Sequence, residues 1–121
     1  MDRKILFYML ENRLYYKTFC VYFMTTGIIV TNTTLARDGL RSNQKSEAGG
    51  LSGSPLRVRS EAVLRQVVKG VEGRIPIVSV GGIMNPDDAK RRLEMGATLI
   101  QLYTGLVYEG PGLVKKILLD Q

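Results

Sequence analysis

From Gly27 to the end of the chain, apolar runs alternate with segments of helical period, and this alternation constrains the fold more than any other feature. "IIVT" (28–31) is short and β-branched, as a strand should be. "IPIVSV" (75–80) reads as a buried strand and "TLIQLY" (98–103) as a third. Between the first two, Val63, Leu64, Val67, Val68 and Val71 recur at helical spacing, with Ser60 placed to cap that helix and Gly73 to stop it. Between the second and third, Asn85 or its neighbour caps a helix that has Pro86 in its first turn and Asp87 and Asp88 at its positive end. That helix runs to Met95, and Gly96 closes it. A last helix begins after Gly110–Pro111 and carries Leu113, Val114, Ile117 and Leu118 on one side. Strand and helix in turn imply an α/β fold, with parallel strands joined by right-handed crossovers. Each strand is nearly all apolar, as expected where helices cover a parallel sheet.

The chain has 121 residues, enough for one ordinary domain. It has no histidine, which excludes imidazole bases, Ser-His-Asp triads and His-ligated metal sites. Cys20 is the only cysteine, so no internal disulfide forms. The net charge is +6, spread along the chain with short clusters such as Arg91–Arg92 and Lys115–Lys116; a diffuse excess of this kind is usually solvated surface and also suits an anionic ligand or an anionic membrane face. There is no focused basic stripe with interleaved aromatics, so nucleic acid is not an expected partner. The apolar run 19–30 is about 12 residues, short of the ~20 that span a bilayer. "MDRKILFYML" makes a poorly formed secretory signal, since Glu11 and Arg13 follow it at once.

In α/β folds, ligands bind where strands end at their carboxyl side. The first strand ends on Thr31, Asn32, Thr33 and Thr34, amide and hydroxyl groups that can read a small polar substrate or simply make a turn. The second ends on Gly81–Gly82, which let backbone N–H groups approach an oxyanion closely. The third ends on Tyr103–Thr104. In (β/α)8 barrels the loops after the last two strands commonly build a phosphate site, and neighbouring "GG" and "YT" ends fit one. A long loop, 37–56, contains "EAGGLSGSPL" with Gly49, Gly50 and Gly53; it is either a flexible surface loop or one whose Gly53 brings another N–H toward a cofactor. Asn32-Thr33-Thr34 also forms a glycosylation sequon, a weak reading without a convincing secretory signal.

"TNTT", "EAGGLSGSPL", "IPIVSVGGI" and "GATLIQLYTGLVYEGPGLV", in this order, resemble the carboxy-terminal part of dihydroorotate dehydrogenase, in its class 2, quinone-dependent form. The resemblance implies a (β/α)8 barrel holding flavin mononucleotide (FMN), of which residues 27–121 would supply about strands six to eight. Residues 1–26 do not resemble the family. It implies oxidation of dihydroorotate to orotate in pyrimidine biosynthesis, with electrons passed to a quinone. Thr31 and Gly53 would touch the flavin. Gly82, Tyr103 and Thr104 would hold its phosphate region through backbone N–H groups, and Asn32 and Thr33 would hydrogen-bond the orotate ring. No position here matches the family's catalytic serine base or its flavin-contacting lysine, so no catalytic residue and no metal ligand is assigned. Family membership implies a membrane-associated location: the mitochondrial inner membrane or the bacterial cytoplasmic membrane.

A whole barrel needs about 250 residues, so the expectation is an incomplete barrel that is inactive and aggregation-prone in isolation. The alternatives are a piece of another phosphate-binding barrel acting on a sugar phosphate, or a non-catalytic remnant that binds FMN or phosphate.

Overall fold

Three short, largely apolar stretches pair into one parallel sheet. A computed structural model describes residues 26–120, and the expectations for Cys20, a signal and an atypical amino-terminal segment fall outside those residues, except at position 26. The strands are β1 (Ile28–Val30), β2 (Ile77–Val80) and β3 (Leu99–Gln101), in the spatial order β1-β2-β3. Their register pairs Ile28 with Ile77, Val30 with Ser79, and Ser79 with Ile100. The helices are α1 (Arg57–Val71), α2 (Pro86–Glu94), α3 (Thr104–Glu109) and α4 (Gly112–Leu119).

Side chains alternate across a strand, so Ile28, Val30, Ile77 and Ser79 share one face. Against that face α1 sets Leu64, Val67 and Val71, all buried, with Val63 and Val68 at the margin. A second cluster joins Ile83, Ala89, Leu113 and Ile117 beneath β3. The opposite face carries Ile29, Val78, Val80, Leu99 and Gln101, and none of these is fully buried. Among the described residues the helices pack on one face only, and Leu99 is 61% exposed, which is the uncovered sheet face expected of an incomplete barrel.

Several local expectations change with the tertiary context. α1 begins at Arg57, not after Ser60, because the 3-10 turn Ser54–Leu56 with Pro55 leads straight into it. Ser60 lies inside the helix and is buried, with its hydroxyl near the carbonyls of Arg57 (2.9 Å) and Gly81 (2.8 Å). Glu72 and Gly73 adopt left-handed conformations and end α1 where expected. Asn85 does cap α2, accepting from the Asp88 N–H at 2.8 Å, and Gly96 (φ 103°) follows its end. β2 and β3 are each shorter than their apolar runs. Tyr103 leaves the sheet and opens α3, a six-residue helix that no pattern in the sequence announces. On α4 only Leu113 and Ile117 are buried, while Val114 and Leu118 face outward. The long loop is also not structureless. Thr34 and Leu51 exchange backbone hydrogen bonds (3.1 and 2.7 Å), and the Arg37 guanidinium donates to the carbonyls of Thr34, Glu47 and Gly49.

Candidate functional site: a cavity at the strand ends

All three strands are parallel, so their carboxyl ends lie on one edge. A cavity of about 430 Å³ opens there, on the side of the sheet away from α1. That size lies within the range of small-ligand sites. The residues that the resemblance assigns to cofactor and substrate, Thr31, Asn32, Thr33, Gly53, Gly82, Tyr103 and Thr104, all line this one cavity, whereas Thr34, Gly49 and Gly50 do not. Residues more than 70 positions apart in sequence meet because parallel topology places successive strand ends side by side.

The walls divide by chemistry. Ile29, Leu56, Val80, Ile83 and Leu102 supply aliphatic surface. The first strand end supplies polar groups: the Thr31 N–H donates to the Val80 carbonyl at 3.0 Å, which holds it to β2. Asn32 Oδ1 accepts from the Thr33 N–H at 2.7 Å, so its carbonyl makes a local turn and its amide nitrogen is the group left for a ligand. No acceptor among the described residues takes the backbone N–H of Gly82, Tyr103 or Thr104.

The loop 37–56 closes the cavity's side. Gly53 is buried with φ 78°, a left-handed conformation suited to glycine. A Cβ on it would sit 3.0 Å from Thr104 Cγ2. The Thr104 hydroxyl donates to Ser52 Oγ at 2.9 Å, tying the loop to the start of α3. Ser52 thus belongs to the cavity wall, and sequence reasoning passed over it. Its signal was only its place inside the "GGLSG" motif. Gly81, read from the sequence with Gly82 as a place where backbone approaches an anion, lines the cavity too, as do Gln101 and Gly105, which the sequence did not point to.

Beneath Gly81–Gly82, on the helix side, lies a buried polar network. Arg92 is fully buried, contrary to the reading of Arg91–Arg92 as solvated charge. Its guanidinium donates to the Gly81 carbonyl (2.9 Å), Ser60 Oγ (2.8 Å), the Arg57 carbonyl (3.2 Å) and Ser79 Oγ (3.3 Å). Glu61 lies 3.6 Å from its Nε and also accepts from Arg91 Nε at 3.1 Å. Asp88 is buried as well. It pairs with Arg57 at 3.2 Å and with Arg91, and it accepts from the Met84 N–H at 3.1 Å. Burial pushes the Arg92 guanidinium below its ordinary value while Glu61 and Asp88 oppose that, and the hydrogen bond to Glu61 raises Arg91. Both stay charged at physiological pH. Among the described residues, no group of acidic or cysteine side chains could hold a metal ion.

Comparison with known proteins gives this geometry its family. The family model described as dihydroorotate dehydrogenase matches residues 18–120. The dihydroorotate dehydrogenase (quinone) of Idiomarina loihiensis is 50% identical over 91 residues, which are 75% of this chain and 27% of that protein. That of Salinispora arenicola is 54% identical over 99 residues, 79% of this chain and 29% of that protein. The chain thus spans little more than a quarter of the length of these curated relatives. Among solved structures, ligand-free DHODH from Eimeria tenella superposes with a TM-score of 0.79 at 36% identity, over 84% of this chain and 28% of that one. DHODH from the same organism in complex with ferulenol gives 0.81 at 35% identity, over 86% of this chain and 28% of that one. The chain belongs to the dihydroorotate dehydrogenase family, with the quinone-dependent, class 2 enzymes as its relatives.

Proposed function

We propose that the cavity at the strand ends is an FMN and orotate half-site, and that the chain serves the oxidation of dihydroorotate to orotate with a quinone as acceptor, in pyrimidine biosynthesis. The observation that carries this is the convergence in one cavity with aliphatic walls of the N–H groups of Gly82, Tyr103 and Thr104, which no acceptor among the described residues takes. An anionic phosphate needs such donors, and a flat isoalloxazine ring needs such walls.

In this reading residues 27–121 supply strands six to eight of a (β/α)8 barrel; the family match itself begins at residue 18, so of the segment 1–26 only residues 1–17 lie outside it. The open face of the sheet, with Ile29, Val80 and Gln101, is then the barrel interior. Gly82, Tyr103 and Thr104 hold the phosphate region, Thr31 and Gly53 contact the flavin, and Asn32 and Thr33 hydrogen-bond the substrate ring. FMN would supply the hydride acceptor and the electron path to the quinone. The chain's own residues bind and orient, and no side chain of the cavity is assigned as the base. Family membership removes the sugar-phosphate alternative. A membrane-associated location, mitochondrial inner membrane or bacterial cytoplasmic membrane, follows from the quinone acceptor. Among the described residues no helix is long and apolar enough to cross a membrane.

The test is complementation. The purified chain is mixed with a polypeptide carrying the first five βα units of a quinone-type relative, with FMN, dihydroorotate and a quinone. Orotate is expected from the mixture and from neither part alone. A mixture that assembles and binds FMN yet makes no orotate would leave the non-catalytic, FMN-binding remnant in its place.

A further inference from the structure

Arg92 lies where helix α2 packs on the sheet, a position that elsewhere on α2 takes Ala89. Burying a guanidinium there is costly unless its donors are used. Two of its contacts, the Gly81 carbonyl at 2.9 Å and Ser60 Oγ at 2.8 Å, converge on one peptide, because Ser60 Oγ itself lies 2.8 Å from the same carbonyl.

The Gly81–Gly82 peptide is trans, so its C=O and N–H point in opposite directions. With the carbonyl clamped toward α1 and α2, the Gly82 N–H is turned toward the cavity that both glycines line. Two glycines in succession, at φ 106° and 72°, would otherwise resist a peptide flip only weakly. A flip would aim a carbonyl oxygen at the cavity and remove the donor.

The geometry points to Arg92 and Ser60 as positioning residues that lock the Gly81–Gly82 peptide with its N–H toward the phosphate of FMN. They touch no ligand themselves. This rests on the FMN reading and adds to it the device that keeps the anion donor aimed.

The test compares FMN with riboflavin, which lacks the phosphate, by quenching of flavin fluorescence on the full chain. Wild type is expected to prefer FMN. Arg92→Met should weaken FMN by about tenfold and riboflavin by less than about twofold, the worth of one well-placed hydrogen bond to a charged group. Arg92→Lys should restore most of the loss, since an ammonium can donate to the same carbonyl. Ser60→Ala leaves the charge unchanged and should cost FMN about threefold, again sparing riboflavin. If circular dichroism shows that Arg92→Met does not fold, the Ser60→Ala ratio decides. An unchanged preference for FMN in the folded variants, or equal loss of both flavins, overturns the positioning role. Wild type that shows no preference for FMN overturns the phosphate reading, and the inference with it.

Discussion

Gly82 carries no side chain for two separate reasons. Its φ of 72° is left-handed, and a Cβ would lie 2.5 Å from the Arg57 backbone nitrogen, with Arg57 Cα nearer still. The sequence suggested that bare backbone there serves the approach of an anion. The structure adds that α1 begins against it, on the side facing away from the cavity. Backbone cannot yield cheaply, so Gly82→Ala should destabilise the chain by more than about 2 kcal/mol. Urea unfolding measures this, and a loss below ~0.5 kcal/mol would contradict the packing. Arg92 is buried, and this, like the packing of α1 against Gly82, was not legible in the sequence. Its charge and its neighbour Arg91 look like surface, and only the position of Ser60 and the Gly81 carbonyl, many residues away, explains its burial.

Among the elements, α4 separates what period alone can tell from what packing adds. Leu113, Val114, Ile117 and Leu118 form one stripe by spacing, but the second core cluster is narrow and takes only Leu113 and Ile117. Leu113 is 1% exposed and Leu118 68%. Leu113→Ala should therefore cost about 2–4 kcal/mol, and Leu118→Ala less than about 0.5. Equal shifts of the urea midpoint in the two variants would mean that the helix is seated differently. α3 went unread for a related reason. "TGLVYE" offers six residues with no apolar period, and its helix is held by its surroundings: Gly105 is packed so closely that a Cβ would sit 2.5 Å from the Ile83 carbonyl oxygen.

At the scale of the whole molecule, the sheet buries one face and leaves the other to the cavity and solvent. Leu99, Tyr103, Val107, Tyr108, Leu118 and Leu119 are exposed, and among the described residues β1 and β3 each have an unpaired edge. Apolar surface and open edges favour association. The chain alone is therefore expected to self-associate at tens of micromolar, and Leu99→Lys with Val107→Lys to reduce it. Sedimentation velocity checks this, and a wild-type monomer across that range would contradict it. The order of the three strands and of the helices α1, α2 and α4, and most of the residues gathered at the strand ends, were already determined by the sequence. Hydrophobic period and glycine punctuation act locally, and parallel βα connectivity then brings every strand's carboxyl end to one edge. The tertiary structure alone decided the burial of Arg92, the clamp on the Gly81 carbonyl, the second reason for Gly82 and the short helix after β3. Each depends on contacts between segments that lie far apart in the chain, and no local pattern records such contacts.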